Sequence, residues 1–496
     1  KMNKTFKVAR SLTRGTVVTS EKASSYQGKA VKTVIAAAVA SLVAGAAMAA
    51  PTAVDGTVDI MGSLVVSTDK GATSYVGTDV EKTVSDKTTA WDKDTDTLGQ
   101  SSKVVLKNGH LSVANTTTTP VDSIDGTGTV TVDASTADTT LAEQTGFSEG
   151  KNHIHTALDI NMTAADGEKN GTAATLTLSG SDTRVFASGT LKTTTAASEK
   201  HDVAGKATLT ATGNLVFGVA DKKGTNGTID KPGTEYNFDI GLNTTVSGAN
   251  VDYLKGNIKV AEGKELSLVS TTKTTIEEGV VFANAGTVTL SGASVDFNAD
   301  YAAEQNSGKL VVEGTTSIGG AIMGGEVRLA DDFAKDKNNK IDDAAFVLLK
   351  NGATVTEDGS INATQLTFAG DKALDVKGTV ETAATVVSAP GASVTVSGYE
   401  DPDNASNTLY GSANLGAITI EDATSAADFT LTNGNNKVDV TAESLTIEAG
   451  VSADKTTAGA FTLAEGGLTL NTVSIASGGK VTVYDDTNHS SAPKQS

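Results

Sequence analysis

Short stretches in which apolar and polar residues alternate recur along most of the chain. Val, Leu and Ile occupy one set of alternate positions, and Thr or Ser occupies the other, as is typical of strands with one buried face. Gly, Asn, Asp or Ser bounds each stretch. Examples are GTVTVDAS (128–135), TLTLSG (175–180), GTVTLSGASVDF (286–297), GASVTVSG (391–398), ESLTIEAG (443–450) and GGLTLNTVSIASGGKVTV (466–483). This pattern predicts an all-β fold.

Helical periodicity is nearly absent after the first fifty residues. Ala, Glu, Lys and Asp accumulate at 301–305 and 331–343, which predicts two short helical insertions. Polar composition predicts loop or disorder in three other stretches, namely 67–103, TTKTT (271–275) and NASNT (404–408). Trp91, in WDKDTDT, is placed in a loop for the same reason.

The spacing of the strands favours a β-solenoid. Near the C-terminus, predicted strands contain Leu445, Phe461, Leu468, Val473 and Val481. Two or three such strands fit one coil, and each coil buries its apolar residues against its neighbours. Each buried Val, Leu or Ile contributes about 1.5 to 3 kcal/mol, while ordering opposes folding by about 1 to 2 kcal/mol per residue. Continuous backbone pairing over many coils must supply the surplus, so we expect a long right-handed parallel β-helix.

A string of immunoglobulin-like sandwiches is the competing all-β interpretation. Such domains of about 100 residues usually place a core Trp on an inner strand. The chain has one Trp, in a predicted loop, and only 4% of its residues are aromatic. No repeat near that length is visible, and the thin, Thr- and Gly-rich composition suits a solenoid better.

The first fifty residues end in an export signal. Residues 34–43 are apolar but too short to span a hydrocarbon core of about 30 Å. Ala47-Met48-Ala49 then offers small residues at the positions that a signal peptidase reads, which predicts a cut between Ala49 and Ala50. The alternative is the amphipathic N-terminal helix of a cytoplasmic protein, but no polar residue interrupts 34–40 at helical spacing.

A longer pattern precedes this signal. It consists of Met2-Asn3-Lys4, Phe6, Lys7-Val8, Gly15-Thr16-Val17-Val18-Thr19-Ser20-Glu21 and Gly28-Lys29. This ordered set resembles the extended signal peptide region of autotransporters, which are type V secreted proteins. It departs from that region at Arg10 and Val17, where the family often has Trp. The match covers about a tenth of the chain.

The resemblance implies a route and a set of partners. Inner-membrane export machinery would read the leader, and the chain would cross the outer membrane of a Gram-negative cell through a β-barrel translocator, to the cell surface or the extracellular space. The end, DDTNHSSAPKQS, does not read as a barrel strand, so we expect a leader and passenger without their C-terminal β-barrel translocator. The predicted segments are an extended signal peptide (2–49), a polar, loop-rich N-terminal cap (50–110), a β-solenoid passenger (111–484) and a polar linker or truncated end (485–496).

Charge and cysteine content narrow the class of partner. The net charge is −20, and residues 1–49 carry eight basic residues against one acidic residue, so the remainder carries −27. The only arginines beyond the leader are Arg184 and Arg328. Nucleic acids are therefore not expected partners, since their binding needs Lys and Arg to neutralise phosphates. The chain has no cysteine, so disulfides cannot stabilise it or hold it folded during export.

Candidate metal ligands are few. His153 and His155 would share one face of a strand, but a third ligand is missing nearby. Asp92, Asp94 and Asp96 have calcium-loop spacing, but Thr97 replaces the expected Gly and Lys103 the closing acid. DKNNKIDD (336–343) fails at Lys340. We interpret both acidic stretches as solvated turns and assign no metal site.

Catalytic motifs are also lacking. The sequence contains no Gly-Asp-Ser-Gly motif, and Asp331-Asp332 is a lone acidic pair. We therefore assign no catalytic residue and no cofactor. The expected function is that of a non-enzymatic adhesin or self-association scaffold, whose partner is a host or bacterial surface ligand or a second copy of itself. A secreted β-helix enzyme acting on polysaccharides and a surface-layer or exopolymer structural protein remain alternatives.

Overall fold

The computed structural model describes residues 6–11, 15–20 and 51–484. Within 51–484 it leaves out 70–71, 100, 115–117, 121–122, 135–138, 143–152, 156–157, 166–170, 172, 179–182, 197–204, 226, 304–306, 333–343, 422–425, 436 and 450–458. The chain divides into two compact units, 1–52 and 53–496.

The first unit contains one antiparallel pair of strands, β1 (Phe6–Ser11) and β2 (Gly15–Ser20), with Phe6 opposite Ser20. The predicted cleavage residues Ala47, Ala49 and Ala50 and the apolar run 34–43 lie outside the described residues. In the part of the chain that the structure describes, no helix has the length and apolarity needed to cross a membrane.

The second unit begins with six strands. They are β3 (Thr52–Val54), β4 (Thr57–Asp69), β5 (Ala72–Val84), β6 (Lys87–Ala90), β7 (Asp96–Leu98) and β8 (Lys103–Ala114). Of these, β4, β5, β6 and β8 belong to a large sheet, while β3 and β7 pair with each other. β4 pairs in parallel with β8 on one side and antiparallel with β5 on the other. The prediction of loop or disorder for 67–103 is wrong, because β5 gains its hydrogen bonds from β4 and needs no alternating apolar face. The predicted boundary at residue 111 falls inside β8.

The next strands continue this sheet. They are β9 (Thr118–Pro120), β10 (Ser123–Ala134), β11 (Thr139–Ala142), β12 (His153–His155), β13 (Leu158–Ala165), β14 (Ala173–Leu178), β15 (Arg184–Phe186), β16 (Gly189–Ala196), β17 (Lys206–Ala211), β18 (Leu215–Phe217), β19 (Lys222–Lys223), β20 (Ile229–Lys231) and β21 (Tyr236–Ile240). All belong to the large sheet except β19 and β20, which form an exposed antiparallel pair of their own.

The central strands include the longest in the chain. They are β22 (Asn243–Val260), β23 (Glu265–Asn284), β24 (Thr287–Phe297), β25 (Tyr301–Ala302), β26 (Lys309–Ile318), β27 (Ala321–Met323), β28 (Glu326–Ala330), β29 (Phe346–Leu349), β30 (Ala353–Val355), β31 (Ser360–Ala369), β32 (Ala373–Val376), β33 (Thr379–Val387) and β34 (Ala392–Val396).

The last strands described are β35 (Gly398–Asp401), β36 (Asn404–Tyr410), β37 (Ser412–Asn414), β38 (Ala417–Ile420), β39 (Asp428–Asn433), β40 (Val440–Ile447), β41 (Ala460–Glu465), β42 (Leu468–Ile475) and β43 (Lys480–Val483). Leu468 and Val473, expected on separate strands, share β42. Its residues Val473 and Ile475 are 51% and 46% exposed, whereas their partners in β40, Leu445 and Ile447, are each 1% exposed.

Parallel pairing dominates the second unit. Its large sheet has 35 described strands, and antiparallel pairs in that sheet are confined to β4–β5 and β5–β6. Many strands pair with one that comes two to five strands later, as where Thr210 of β17 lies opposite Ser247 of β22, 37 residues on. The long strands β22, β23 and β24 instead pair each with the next, and Asn243 Oδ1 accepts a hydrogen bond from the Glu265 amide, 22 residues on. The all-β prediction is confirmed. Antiparallel sandwiches do not fit this pairing.

The core is a set of columns formed by in-register side chains. Val246, Leu268, Leu290 and Val312 face one another across four neighbouring strands, and each is at most 1% exposed. Thr and Ser alternate with them on the outer face, which explains the sequence pattern. The columns make the core thin but continuous, because each residue packs mainly on the strand before and the strand after.

An aromatic column interrupts this aliphatic pattern. Phe186, Phe217 and Tyr253 are in register on β15, β18 and β22, with stacked rings whose centroids are 5.3 and 5.8 Å apart. Phe238 and Tyr236 pack against the same rings, at 4.9 and 5.4 Å from Phe217. All five side chains are at most 2% exposed. The few aromatics of the chain are therefore concentrated where they bury each other.

The two predicted helical insertions do not form helices in the described residues. Tyr301 lies in β25, fully buried, and its hydroxyl donates to the Gly308 carbonyl at 3.3 Å and accepts from the Asn284 amide at 3.2 Å. These hydrogen bonds fix the strand where alternation is too short to indicate it. Asp331 and Asp332 form a bend, and 333–343 lies outside the described residues.

The polar stretches at 271–275 and 404–408 are also strands, in β23 and β36. In the first, Thr274 is fully buried and its hydroxyl donates to the Ser291 carbonyl at 2.8 Å. A buried threonine with its hydrogen bond made packs as an apolar residue would. The loop predictions were wrong because they rested on the polarity of the side chains and did not include the hydrogen bond from Thr274 to the Ser291 carbonyl.

Close approach of neighbouring strands requires glycine at Gly256. Its φ is +140°, and a Cβ added there would lie 2.0 Å from the Tyr236 carbonyl oxygen. The pairing register of β22 with β23 shifts just before it, between Tyr253 and Lys255. Gly256 therefore sits at an irregularity where only glycine fits.

Candidate functional site

The predicted histidine pair lies on a strand of the parallel sheet. β12 pairs with β15, with His153 opposite Arg184 and His155 opposite Phe186. No group of three or more His, Asp or Glu residues that could hold a metal ion occurs among the described residues. Arg184 and Phe186, the residues opposite the two histidines, are not metal ligands.

The acidic triplet at 92–96 stabilises the fold. Asp92 accepts a hydrogen bond from the Asp94 amide at 3.0 Å, which lowers the pKa of Asp92. Asp96 is 3% exposed, forms an ion pair with the Lys82 ammonium and accepts from the Asp92 amide at 2.6 Å. The interpretation as a solvated turn holds for exposed Asp92 and Asp94 and is wrong for Asp96.

Trp91 lies in a loop, as predicted, but it belongs to the core. Its side chain is 9% exposed, and Nε1 donates to the Tyr75 carbonyl at 3.2 Å. The two rings are 6.5 Å apart. Trp91 therefore holds β5 in place near the edge of the large sheet.

Arg328 and Asp331 also have structural partners. The Arg328 guanidinium contacts both carboxylate oxygens of Glu326, at 2.8 and 2.9 Å, and lies 4.6 Å from the centroid of the Phe346 ring. The Lys372 ammonium lies 2.5 Å from Asp331 Oδ1, and this hydrogen bond raises the pKa of Lys372. Neither residue is arranged as a catalytic acid or base.

Outward side chains form rows that cross many strands. One row, which we call the hydroxyl–carboxylate row, comprises Asp252, Thr275, Asp296, Ser317, Thr354, Asp375, Thr395 and Thr432. Thr275 is 8% exposed, and the other seven residues are half-buried. Neighbours in such a row are about 4.8 Å apart, the spacing of paired strands. Similar groups therefore repeat at a fixed interval along one face.

Amide groups form shorter ladders of the same kind. Asn250 Nδ2 donates to Asn214 Oδ1 at 2.9 Å, and Asn257 Nδ2 donates to Asn237 Oδ1 at 2.9 Å. Asn214 Oδ1 also accepts from the Asn250 backbone amide, and Asn237 Oδ1 also accepts from the Asn257 backbone amide. These ladders fix the register of the strands that present the rows.

A groove lies at the corner where two insertions leave the sheet. The first insertion is the hairpin arm, β35 and β36, which forms a separate antiparallel pair, and the second is the loop 434–439, of which the structure describes all but residue 436. Both follow paired residues, since Val396 before the arm lies opposite Asn433 before the loop. The corner groove, of about 260 Å³, is lined by residues 379–381, 411–414 and 438–441, with Val396, Asn433 and Asn435.

The floor of the corner groove is polar. Glu381, Asn414 and Thr441 are in register on β33, β37 and β40, so a carboxylate, an amide and a hydroxyl follow one another at the strand spacing. Glu381 is exposed and makes no hydrogen bond or ion pair with the described residues. No lysine, arginine or histidine lines the groove.

Hydrogen bonds hold the loop side of the groove. The side-chain amide of Asn433, which is 1% exposed, donates to the carbonyls of Val438 and Gly467 at 3.1 and 2.9 Å. Asp439 accepts from the Thr469 hydroxyl at 2.8 Å. The groove is therefore bordered by a loop whose ends are fixed.

An aromatic and an apolar side chain stand at what we call the rim of the groove: Tyr410 directly precedes the lining residue Gly411, and Val438 is itself a lining residue. Tyr410, at the end of the hairpin arm, is 38% exposed, and Val438 is 62% exposed. The Tyr410 ring lies against Gly434, where an added Cβ would be 3.6 Å from Cε1. Sequence reasoning missed this site, because its residues come from three strands and two insertions. The only local signal was the polar stretch 404–408 followed by a tyrosine.

The chain was also compared with known proteins. No protein-family model matches it, and no match was found among curated proteins or solved structures.

Proposed function

We propose that this chain is a non-enzymatic autotransporter passenger, displayed on the outer-membrane surface as a right-handed parallel β-helix and acting as an adhesin or self-association scaffold. The observation that carries this proposal is the set of outward rows, in which hydroxyl, amide and carboxylate groups repeat from strand to strand. The leader motifs and the cysteine-free sequence support the export route.

Regular spacing gives the proposed surface its mechanism. A hydrogen bond to a partner contributes only about 0.5 to 1.5 kcal/mol net, so one row position binds weakly. Once one position is engaged, its neighbours bind at high effective concentration, and many weak contacts sum to firm attachment. A partner that is itself repetitive, such as a surface polymer or a second β-helix, gains most from this arrangement.

Export before folding fits the composition. In the proposal, the inner-membrane machinery reads the leader, signal peptidase cuts between Ala49 and Ala50, and the unfolded chain crosses a β-barrel translocator. Columns of Val, Leu and Ile form as strands pair, and the cysteine-free chain folds without a disulfide.

Protease treatment of intact cells tests the display. We expect externally added protease to degrade the chain in cells that express the complete gene, while a periplasmic marker stays intact. Degradation only after the outer membrane is permeabilised would overturn the proposal.

A settling assay of cell suspensions tests the rows. Replacing Ser317, Thr354 and Thr395 together by Ala removes three hydroxyls from the hydroxyl–carboxylate row, and we expect slower self-association or weaker attachment. The control replaces three exposed turn residues, Glu262, Glu357 and Asp358, by Ala. Equal behaviour of both variants would count against the rows as the binding surface.

A further inference from the structure

We infer that the corner groove binds a short segment of an uncharged polysaccharide. This inference rests on the proposed function, because it names a ligand class for the displayed surface. Three features of the groove carry it: the polar floor, the absence of cations, and the aromatic rim.

The floor matches the hydrogen-bonding groups of a sugar. Glu381 and Asn414 supply acceptors, Asn414 also supplies two N–H donors, and the Thr441 hydroxyl can do either. Vicinal sugar hydroxyls likewise donate and accept. The in-register placement puts these three groups in a line at about 4.8 Å intervals, so an extended polymer can contact them in succession.

Charge selects against anionic polymers. Two carboxylates, Glu381 and Asp439, line the groove, and no cationic side chain does. A uronate or sulfate in this groove would face two like charges, and Lys437, in the bordering loop, is not among the lining residues. An uncharged ligand avoids that repulsion and still uses both carboxylates as acceptors.

The rim supplies the apolar contact that a sugar ring requires. Tyr410 is held between Gly398 and Gly434: an added Cβ at these positions would lie 3.0 and 3.6 Å from its Cε1. The ring is therefore positioned from two sides while 38% of the residue remains exposed. An immobilised aromatic ring offers contact area at small entropic cost.

The volume limits the ligand to a short segment. At about 260 Å³, the groove is just below the range of about 300 to 1,000 Å³ that holds drug-sized ligands. One or a few sugar units of a longer chain would fit, with the rest of the polymer outside. Affinity at one groove is then modest, and multiple copies on a cell surface would raise it.

Native gel electrophoresis with polysaccharide in the gel tests the inference on the purified chain. The uncharged probes are a β-glucan, a galactomannan and an arabinoxylan, and the anionic probe is polygalacturonate. We expect at least one uncharged polymer to retard the protein and polygalacturonate to have no effect. Retardation by none of the uncharged polymers, or by polygalacturonate alone, would overturn the inference.

Variants localise the binding. Tyr410→Ala should weaken it about tenfold, and Asn414→Ala about three- to tenfold. Tyr484→Ala is the matched control, because Tyr484 is also 38% exposed but follows β43, which contributes no residue to the groove lining, and it should bind as the unsubstituted chain does. An equal loss in Tyr410→Ala and Tyr484→Ala, with circular dichroism unchanged, would contradict a site at the corner groove.

Glu381→Gln separates an uncharged ligand from a cationic one. The amide keeps an acceptor, so polysaccharide binding should change less than about twofold. Loss of binding in this variant, with retardation of the unsubstituted chain by polylysine, would instead identify a cationic peptide and overturn the inference. Because these assays use purified protein, they can fail while surface display succeeds, or succeed while display fails.

Discussion

Truncating Phe217 to Ala should strongly destabilise the centre of the parallel sheet. The side chain is fully buried, with four aromatic rings at centroid distances of 4.9 to 5.8 Å. Removing a buried Phe costs about 3 to 5 kcal/mol, and the cost is larger where the site cannot collapse. Here β18 is paired on both sides, with β15 and β22, so the backbone cannot close the cavity. We therefore expect about 4 to 5 kcal/mol.

Denaturant titration with two probes measures this loss. Far-ultraviolet circular dichroism reports the whole sheet, and fluorescence of the single Trp91 reports only the edge covered by β5. Each strand packs mainly on its neighbours. Phe217→Ala should therefore lower the denaturant concentration at the dichroism midpoint much more than the concentration at the fluorescence midpoint. Phe217→Leu should lie between Phe217→Ala and the unsubstituted chain.

Val281→Ala is the control. Val281 is 59% exposed in β23, and surface truncations usually change stability by less than about 0.5 kcal/mol. A Phe217→Ala loss below about 1 kcal/mol, or one equal to that of the control, would refute the packing of the aromatic column.

Three further substitutions test other features of the fold. Asp96→Ala removes the buried acceptor of the Lys82 ammonium, and thermal melts followed by Trp91 fluorescence should show a loss of about 3 kcal/mol; unchanged melts would contradict the pairing. Burial raises the pKa of Tyr301 to about 12, above the ordinary value of about 10, so its contribution is complete below pH 10 and is lost as the pH rises toward 12. Denaturation midpoints of Tyr301→Phe should accordingly fall less over that range than those of the unsubstituted chain, and parallel curves would count against it. Gly256→Ala should cost at least twice as much as Gly263→Ala, measured by denaturant titration, because both have positive φ but only Gly256 faces a carbonyl 2.0 Å from the added Cβ; equal costs would exclude that close approach.

The alternation of apolar and polar residues predicted the strands well where one face is buried and the other faces solvent. The segment 286–297 coincides with β24 (Thr287–Phe297) because Val, Leu and Phe enter the core at every second position. Alternation failed for β5, which lies over an edge and exposes most of its side chains. It also failed at Thr274, whose burial depends on a carbonyl 17 residues away.

The candidate site was beyond the reach of sequence reasoning. Glu381, Asn414 and Thr441 are ordinary exposed residues in three separate segments, and only the pairing register brings them into a line. That register depends on the lengths of two insertions, the hairpin arm and the loop 434–439, which no local pattern encodes. The acidic triplet at 92–96 was easier to notice, yet its most buried member serves Lys82.

Nearest-neighbour pairing also governs how the sheet would respond to tension. Hydrogen bonds between β22, β23 and β24 join one strand to the next, so a pull that separates successive strands loads one interface at a time. Such a sheet peels open in small steps and lengthens gradually, where a single globular core would rupture at once. A sheet built this way would dissipate an applied load one strand interface at a time while the remaining strands stayed paired.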